Sequence, residues 1–414
     1  MPPVNPYSAG GMVQDPAMFF GRDEELGRIR DRLRKGDSTA VVGLRRIGKS
    51  SLLYQLAHQA DALPEGVVAV YLDLQDAAHH RPLDLLASAL RSLNERLNGR
   101  YDLPPIKSLG DFSVAIKQVV TDGFRPALCL DEVEELTDHD AFDDDFFEAL
   151  RSLGNQRLLA FVTASGEFLD VLLKRKKRTS PFYNLFINLD LAGLSDKATV
   201  ALLTEPFRSA GLSPSPPDHL AYALELTGHH PFYLQVAAHH LFEAQKGSER
   251  VLNRLALCDA FTRDAEPHFR GLWRHLSADE QAGVRKLAGM PAAVQDWEHT
   301  CADLLRFGLA EGDAASPRLF STVFAEMVKT GEIERRPSPR LHTIQPSDDD
   351  RPSAIGPARL SVLNAAISVI VLIAIGAIIG AMLSKSVFLF GVAVIASLIT
   401  IVLTLVVRAR GIER

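Results

Sequence analysis

The stretch VVGLRRIGKSSLL, residues 41–53, decides how the chain should fold. A short apolar run meets glycines, basic residues and two serines, and then turns apolar again. Gly43, Gly48, Lys49 and Ser50 satisfy the spacing G-x-x-x-x-G-K-[ST], in which glycines let backbone N–H groups curl around a phosphate. The apolar flanks predict a strand before this loop and a helix after it, whose positive end points at the same place. The sequence therefore predicts a phosphate-binding loop.

The side chains of this loop have distinct expected roles. We expect Lys49 to reach the β- and γ-phosphates of a nucleotide and to assist catalysis, and the Ser50 hydroxyl to hold Mg²⁺. Gly43, Gly48 and Ser51 complete the set of nucleotide-binding residues predicted in this loop. The expected ligands are therefore ATP or ADP together with Mg²⁺.

A second acidic motif, LCLDE, ends the third predicted strand. Asp131 lies where it can ligate Mg²⁺ directly or through water, and Glu132 is placed to polarise an attacking water. The alternative is that both acids simply begin a helix, and we expect Glu134 and Glu135 to be such solvated helix-start residues. Catalysis is thus predicted to rest on Lys49, Asp131 and Glu132.

The fourth predicted strand ends in hydroxyl side chains, in the segment FVTASGE. Thr163 or Ser165 could sense the γ-phosphate, because this strand lies beside the third in the usual order of such sheets. A plain strand-end hydroxyl without a role in the site is the alternative for either residue.

Apolar runs alternate with helical patterns through the first half of the chain, which favours a parallel sheet covered by helices on both faces. The expected strands are 39–43, 66–74, 126–136, 158–165 and 184–191. After Gly193 the pattern becomes helical, with Ser195 as a helix cap and Ser277 and Glu280 as a capping box. The fold class is therefore α/β: a P-loop NTPase parallel sheet, a helical lid and a winged-helix domain, followed by a two-helix transmembrane hairpin. The predicted divisions are a flexible N-terminal arm (1–18), an ATPase α/β domain (19–193), a helical lid (194–265), a winged helix (266–330), a Pro-rich linker (331–357) and the hairpin (358–410).

The hairpin is predicted from two uncharged apolar segments, 360–383 and 387–407. At ~1.5 Å per residue they span roughly 36 Å and 31 Å, enough for a hydrocarbon core of about 30 Å. The turn between them carries only Lys385, whereas arginines flank both outer ends. The positive-inside rule then places both ends in the cytoplasm and the protein in the inner (plasma) membrane.

Composition restricts the remaining function classes. The 414 residues carry a mild net charge of −6, which gives no global argument for nucleic acid binding. The three cysteines, Cys129, Cys258 and Cys301, are far apart and fit a reducing cytosol better than a disulfide framework. The basic run KRKKR (174–178) is typical of a solvated face, and alternatives are an arginine supplied across a subunit interface, contact with acidic headgroups or nucleic acid binding. The N-terminal segment lacks the basic start and apolar run of a signal peptide.

Several segments together resemble the STAND class of P-loop ATPases, within the wider AAA+ group. They are FFGRDEEL, GLRRIGKSSLL, LCLDEVEEL, TSPFYNLF and TGHHPFYLQ. The resemblance implies that Phe20, Gly21 and Arg22 lie near adenine, and that His230 and Pro231 of the lid lie near the nucleotide. It also implies an ADP-closed, ATP-open switch that can oligomerise. The Met-His-Asp motif of the family's winged helix is not found here, so locking of ADP by that route is not expected.

These features predict a membrane-anchored, ATP-hydrolysing switch that forms homo-oligomers and brings its hairpins together. The output would be a signalling platform or a membrane-disrupting defence effector, with a separate partner protein sensing the trigger. One alternative is a constitutive ATPase motor that remodels or transports something at the membrane. Another is a regulator that binds DNA through the winged helix, although residues 277–330 contain no dense basic run.

Overall fold

The computed structural model of the protein describes residues 3–8, 10–59, 62–102, 105–176, 179–246 and 253–335. No helix within these ranges combines the length and the apolar character needed to cross a membrane. The transmembrane hairpin predicted at 358–410 and nearly all of the predicted linker lie outside the described residues.

A parallel sheet of five strands forms the centre of the first half of the chain. The strand order is β2-β3-β4-β1-β5, so β4 lies between the strand that leads into the phosphate-binding loop and the strand that ends in Asp131. This sheet confirms the α/β P-loop class expected from the sequence. The strands are β1 (Ser38–Gly43), β2 (Val67–Asp73), β3 (Arg125–Asp131), β4 (Ala160–Ser165) and β5 (Phe186–Leu191).

Helices cover both faces of the sheet, because successive side chains of a strand point to opposite faces. Val41 of β1 packs in one apolar cluster with Leu52 and Leu56. Its neighbour Val42 packs in another, with Leu86 and the phenylalanines of the segment after β3. The helices of this part are α1 (Asp23–Lys35), α2 (Lys49–His58), α3 (Pro82–Arg96), α4 (Leu109–Thr121), α5 (Glu134–Asp138), α6 (Asp144–Asn155) and α7 (Leu169–Arg175).

Within the described residues after β5, the chain is helical apart from one short antiparallel hairpin. Ser195 caps the first of these helices and Ser277 forms the expected capping box with Glu280. The elements are α8 (Asp196–Ser209), α9 (Pro217–Thr227), α10 (Pro231–Lys246), α11 (Arg254–His275), α12 (Ala278–Leu287), α13 (Trp297–Arg306), β6 (Ala310–Glu311), β7 (Arg318–Leu319) and α14 (Thr322–Lys329).

The boundary predicted between 265 and 266 does not coincide with a break in the structure. Helix α11 continues through it, with Pro267 inside the helix. One apolar cluster extends from Leu194 to Ile333 and joins residues on both sides of the boundary. The lid and winged-helix segments therefore share a single core.

The N-terminal arm is packed against the helices rather than free. The ring of Tyr7 is buried between Phe207 and Phe242, and its hydroxyl donates to the Leu202 carbonyl at 2.8 Å. The Asn5 amide donates to the carbonyl of His239 on α10 at 3.1 Å. These contacts fasten the start of the arm to α8 and α10.

Further along, the arm is fastened to the helix that follows the phosphate-binding loop. The backbone N–H of Val13 donates to the Ser51 hydroxyl at 2.9 Å. The Gln55 side chain donates to the carbonyls of Val13 and Gln14 at 3.1 and 2.9 Å. The interpretation of residues 1–18 as a flexible arm is thus wrong for its described part, since its composition does not reveal contacts made almost 200 residues away.

Candidate nucleotide-binding site

The phosphate-binding loop joins the buried strand β1 to α2, as its motif predicts. A Cβ on Gly43 would lie 2.6 Å from the Leu191 carbonyl oxygen, so only glycine fits there. Gly48 has a φ of +103° and ends the loop immediately before α2 begins at Lys49. The free N–H groups of that first helical turn and its positive dipole end together form a natural anion site.

Lys49 is buried and spans the loop from inside. Its ammonium donates to the carbonyls of Gly43 at 2.9 Å and Leu44 at 3.0 Å. Burial lowers the pKa of Lys49, whereas the carboxylates of Glu132, Glu134 and Asp131 oppose that shift. The ammonium group is thus held next to the acidic strand end, where phosphate oxygens could replace the two loop carbonyls.

Asp131 is the last residue of β3, and its two carboxylate oxygens differ in their hydrogen bonds. Oδ2 accepts a hydrogen bond from the Tyr71 hydroxyl at 2.7 Å. Oδ1 is buried and has no hydrogen-bond partner within the described part of the chain. Burial raises the pKa of Asp131, and hydrogen bonds from Tyr71 and Ser50 counteract the rise.

This arrangement fits a magnesium ion. A buried carboxylate oxygen without a partner is costly, and a hard cation satisfies it. Ser50 and Asp131, the two predicted Mg²⁺ ligands, are close enough to interact through the Ser50 hydroxyl. The residues present would therefore hold Mg²⁺ between the first turn of α2 and the end of β3.

Glu132 adopts a left-handed backbone conformation, with a φ of +55°. Such a conformation is uncommon for a residue other than glycine and turns the chain sharply after β3. Glu132 lines the cavity described below, and burial raises the pKa of its carboxyl group. Its position suits the predicted contact with a water molecule.

Glu134 is not the solvated helix-start residue that the sequence suggested. Its Oε1 accepts a hydrogen bond from the Gly166 N–H, and its Oε2 is buried without a partner among the described residues. Burial also raises the pKa of Glu134. The glutamate therefore connects the segment after β3 to the segment after β4, a contact that only the adjacent position of these strands creates.

The two hydroxyl candidates on β4 differ in their contacts. Ser165 donates to the Glu167 carbonyl at 2.7 Å. Thr163 is fully buried, and its hydroxyl has no partner in the described ranges. Neither residue belongs to the wall of the cavity. Thr163 alone has an unpaired hydroxyl for a bound water or ligand, and the sensing role stays a prediction.

A cavity of about 320 Å³ lies above the phosphate-binding loop. Its polar end contains Gly48, Lys49, Ser50, Ser51 and Glu132. Its other end is mostly apolar and is formed by the N-terminal arm and the helical part of the chain. The residues of that end include Met12, Val13, Met18, Phe19, Phe20, Leu194, Leu202, Pro231 and Phe232.

The cavity brings most of the predicted site residues together. Phe20, Arg22 and Pro231, which the family resemblance places near the nucleotide, lie in its wall with the phosphate-binding residues. Four predicted residues lie behind the wall rather than in it. They are Gly21, Gly43, Asp131 and His230.

Arg22 has a bracing role. Its guanidinium donates to the Ile47 carbonyl at 3.1 Å and the Ala192 carbonyl at 2.7 Å, and it pairs with Glu25 at 3.0 Å. Arg22 thus ties the start of α1 to the phosphate-binding loop and to the end of β5. Beside it, Gly21 has a φ of +71°, and a Cβ there would lie 2.7 Å from that of Ala198.

His230 is a buried, neutral side chain. Its ring packs against Tyr233 at 4.7 Å and Phe320 at 5.8 Å between ring centroids. Burial, together with the positive charges of Arg22 and Lys49, lowers the pKa of His230 to about 3. The histidine therefore offers no positive charge to a phosphate, whereas its neighbour Pro231 lies in the cavity wall.

Several residues of the cavity were not predicted. The guanidinium of Arg46 in the loop lies 4.4 Å from the ring centroid of Phe232 on α10, which links the loop directly to the helical part. Val13 reaches Ser51 through its backbone N–H. The contact of Val13 is made by its backbone from a distant segment, so the sequence gives no sign of it. Phe232 could have been predicted as a cavity residue, because it directly follows Pro231.

Two family models match parts of the chain. The model described as Novel STAND NTPase 2 matches residues 115–291, and the model described as AAA domain matches residues 32–172. The first lies across the boundary between the sheet and the helical part, and the second contains the phosphate-binding loop and the acidic strand end.

Individual proteins are also similar. The Walker-type ATPase of Pyrococcus abyssi has a TM-score of 0.55 at 17% identity, covering 77% of this chain and 98% of that one. The ADP form of the Aeropyrum pernix ORC2 protein has a TM-score of 0.49 at 14% identity, covering 79% and 98%. An uncharacterised WD repeat-containing protein of Synechocystis is 27% identical over 322 residues, 69% of this chain but 26% of the relative. The match thus spans about a quarter of that relative's length.

The sheet order, the loop geometry and the two family models agree on the fold. The chain has the fold of P-loop ATPases of the AAA+ type, which confirms that part of the resemblance predicted from the sequence.

Proposed function

We propose that the protein binds Mg-ATP in this cavity, hydrolyses it slowly and uses the bound nucleotide as a STAND-like switch. The observation that carries the proposal is the convergence of Lys49 with the acidic strand end at one end of a cavity. The arm and the helical part enclose the other end of that cavity. A nucleotide has the same division between charged phosphates and a largely apolar base.

The phosphates would lie at the N-terminus of α2. Backbone N–H groups of the loop donate to phosphate oxygens, and Lys49 exchanges its two carbonyl partners for them. Ser50 and Asp131 hold Mg²⁺, which neutralises phosphate charge when bound. Glu132 orients a water and accepts its proton, a task that a raised carboxyl pKa favours.

The switch would depend on the two parts that the cavity joins. A nucleotide between the loop and Pro231 of α10 contacts the sheet and the helical part at once. Its binding energy can then favour one arrangement of these parts over another. We interpret α12, α13, the β6–β7 hairpin and α14 as a winged-helix module that moves with the lid, because they share its apolar core.

We also propose that the activated protein forms homo-oligomers at the inner membrane, with both ends of the hairpin in the cytoplasm. The support is the pair of uncharged apolar segments, 360–383 and 387–407, with arginines at their outer flanks. Clustering of the hairpins would be the output, as a signalling platform or as a membrane-disrupting effector. A separate protein would sense the trigger.

The mass of the detergent-solubilised protein tests the switch. With a non-hydrolysable ATP analogue we expect a larger assembly than with ADP, and Lys49→Ala should abolish the difference. Equal masses in both nucleotides, together with steady ATP turnover that needs no trigger, would favour a constitutive motor. Recovery of the protein in the supernatant after alkaline extraction of membranes would contradict the anchoring.

A further inference from the structure

Two histidines and a glutamate meet beside the nucleotide site. β2 and β3 are parallel neighbours with Asp73 opposite Asp131, so the segments that follow them leave the sheet at the same edge. The first segment carries His80, directly after a short 3-10 turn. The second carries Glu135 on the short helix α5 and His139 directly after that helix. The parallel pairing therefore brings three metal-binding side chains together.

The spacing of these groups matches a metal site. One ligand atom from each side chain lies within 4.8 Å of the other two. The rings of His80 and His139 are 4.2 Å apart between centroids, and Nε2 of His139 is 3.4 Å from a carboxylate oxygen of Glu135. Around tetrahedral zinc, with bonds of about 2.0–2.1 Å, neighbouring ligand atoms are roughly 3.3 Å apart. The pair formed by His139 and Glu135 already has this spacing. Rotation of the side chains would bring the His80 nitrogen, now within 4.8 Å, to the same distance.

His80 supplies an independent observation that points to a ligand. Its Nε2 is buried and has no hydrogen-bond partner in the described part of the chain. Leaving a buried nitrogen unpaired is energetically unfavourable, and bonding to a metal ion would remove that penalty. Two protonated imidazoles at this separation would repel each other, whereas two neutral imidazoles can bind the same cation.

We propose that His80, Glu135 and His139 bind a divalent transition metal of the zinc class. Two imidazole nitrogens and one carboxylate oxygen suit Zn²⁺ and its neighbours, whereas Mg²⁺ and Ca²⁺ select oxygen ligands. The site is therefore chemically distinct from the Ser50–Asp131 magnesium position.

The metal would fix two segments that border the nucleotide cavity. The segment after β2 also carries Gln75, which lines the cavity. The segment after β3 carries Glu134, the neighbour of Glu135 and the acceptor of the Gly166 N–H. A metal bridge between these segments would hold the edge of the ATP site without contacting the nucleotide.

The test is a Zn²⁺ titration of the full-length, metal-free protein in competition with a chromophoric chelator. Nucleotide is omitted and excess Mg²⁺ occupies the oxygen-preferring sites. We expect saturable binding of one Zn²⁺ per chain, and weakening of about 10-fold or more in His80→Ala, His139→Ala and Glu135→Gln. Bound Co²⁺ should show a visible absorption band that the variants lose.

His299 provides a matched control. Its Nε2 lies 3.4 Å from Asp303, the same carboxylate–histidine distance four residues apart on a helix, but it belongs to no group of three ligands in the described ranges. His299→Ala should bind Zn²⁺ as the wild type does. Melting temperatures in metal-free buffer identify any variant that is misfolded. The Zn²⁺ affinities of the folded variants then decide whether these three side chains bind the metal. Absence of saturable binding, or equal affinity in wild type and folded variants, would overturn the proposal.

Discussion

The two ends of the cavity are built in different ways. The phosphate end comes from two short stretches, 43–51 and 131–134, each continuous in sequence. The opposite end is assembled from the arm, the start of α8 and the start of α10, which are about 200 residues apart along the chain. In the proposed complex, phosphate binding would therefore depend on local backbone geometry, whereas enclosure of the base would depend on long-range packing. The two ends should therefore respond differently to substitution.

The largest effect is expected for Lys49→Ala at the phosphate end. Loss of two charge-assisted hydrogen bonds should cost about 4 kcal/mol, roughly 1000-fold in affinity. Because the contact is to phosphate, ATP and inorganic triphosphate should lose affinity alike in calorimetric titrations. Lys35→Ala, at an exposed lysine of α1, is the control and should change neither the ATP affinity nor the triphosphate affinity. Undiminished triphosphate binding by Lys49→Ala would mean that phosphates do not occupy this end.

Glu132→Gln should separate chemistry from binding within the same end. Removal of the proton acceptor should lower kcat for ATP hydrolysis by about 100-fold or more, with little change in ATP affinity. Glu24→Gln, at an exposed glutamate in the first turn of α1, should leave turnover unchanged. If Glu132→Gln lost ATP affinity as strongly as kcat, Glu132 would contribute to ATP binding rather than to the hydrolysis step.

Tyr7→Ala tests the opposite end. It removes the ring that packs against Phe207 and Phe242, and so should detach the arm from the helices. We expect ATP to bind about 10-fold more weakly, or about 1.4 kcal/mol, while inorganic triphosphate binds as before. Tyr7→Phe keeps the ring and loses only the hydrogen bond to Leu202. An equal loss for both ligands in Tyr7→Ala would show that the ends are not separable.

The buried His230 should make this end sensitive to acid. Its pKa is about 3 in the folded protein and about 6.5 in the unfolded chain, so between these values only the unfolded chain binds the proton. Its contribution to stability is therefore full above pH 6.5 and is lost as the pH falls toward 3, by up to about 1.4 kcal/mol per pH unit. His230→Gln should flatten the pH dependence of the unfolding free energy between pH 4 and 6.5, measured by urea denaturation. An unchanged slope would contradict the buried neutral state.

The smallest effect is expected where the two ends touch. Arg46→Ala removes the guanidinium that lies over Phe232, a contact worth about 0.5–1 kcal/mol. ATP affinity should fall by about 2-fold to 5-fold in fluorescence titrations. Arg46→Lys keeps the charge but loses the flat guanidinium surface, so its ATP affinity should lie between those of the wild type and Arg46→Ala. A loss as large as that of Lys49→Ala would mean that Arg46 contacts phosphate directly.

The phosphate end could be predicted because its chemistry dictates residue types at fixed spacing. The loop, the five strands and Ser50 with Asp131 follow from such local patterns, as do the caps at Ser195 and Ser277. These features depend on the nearest neighbours in sequence. A single chain is therefore sufficient to infer them.

The opposite end and the proposed zinc-class site could not be predicted in this way. The arm has the Pro, Gly and Ser composition of a mobile segment, yet Tyr7 packs against α8 and α10 and anchors the arm there. His80 and His139 are 59 positions apart, and only the pairing of β2 with β3 brings them together. Burial of Glu134 likewise depends on β4 being adjacent to β3.

Amide hydrogen exchange of the full-length protein with and without Mg-ATP tests most directly whether both ends enclose one nucleotide. We predict slower exchange in residues 43–51 and, in the same sample, in the arm, in residues 19–22 that follow it and in residues 231–235. Lys49→Ala should remove both sets of protection together. Protection confined to residues 43–51, or no protection in either region, would contradict the account.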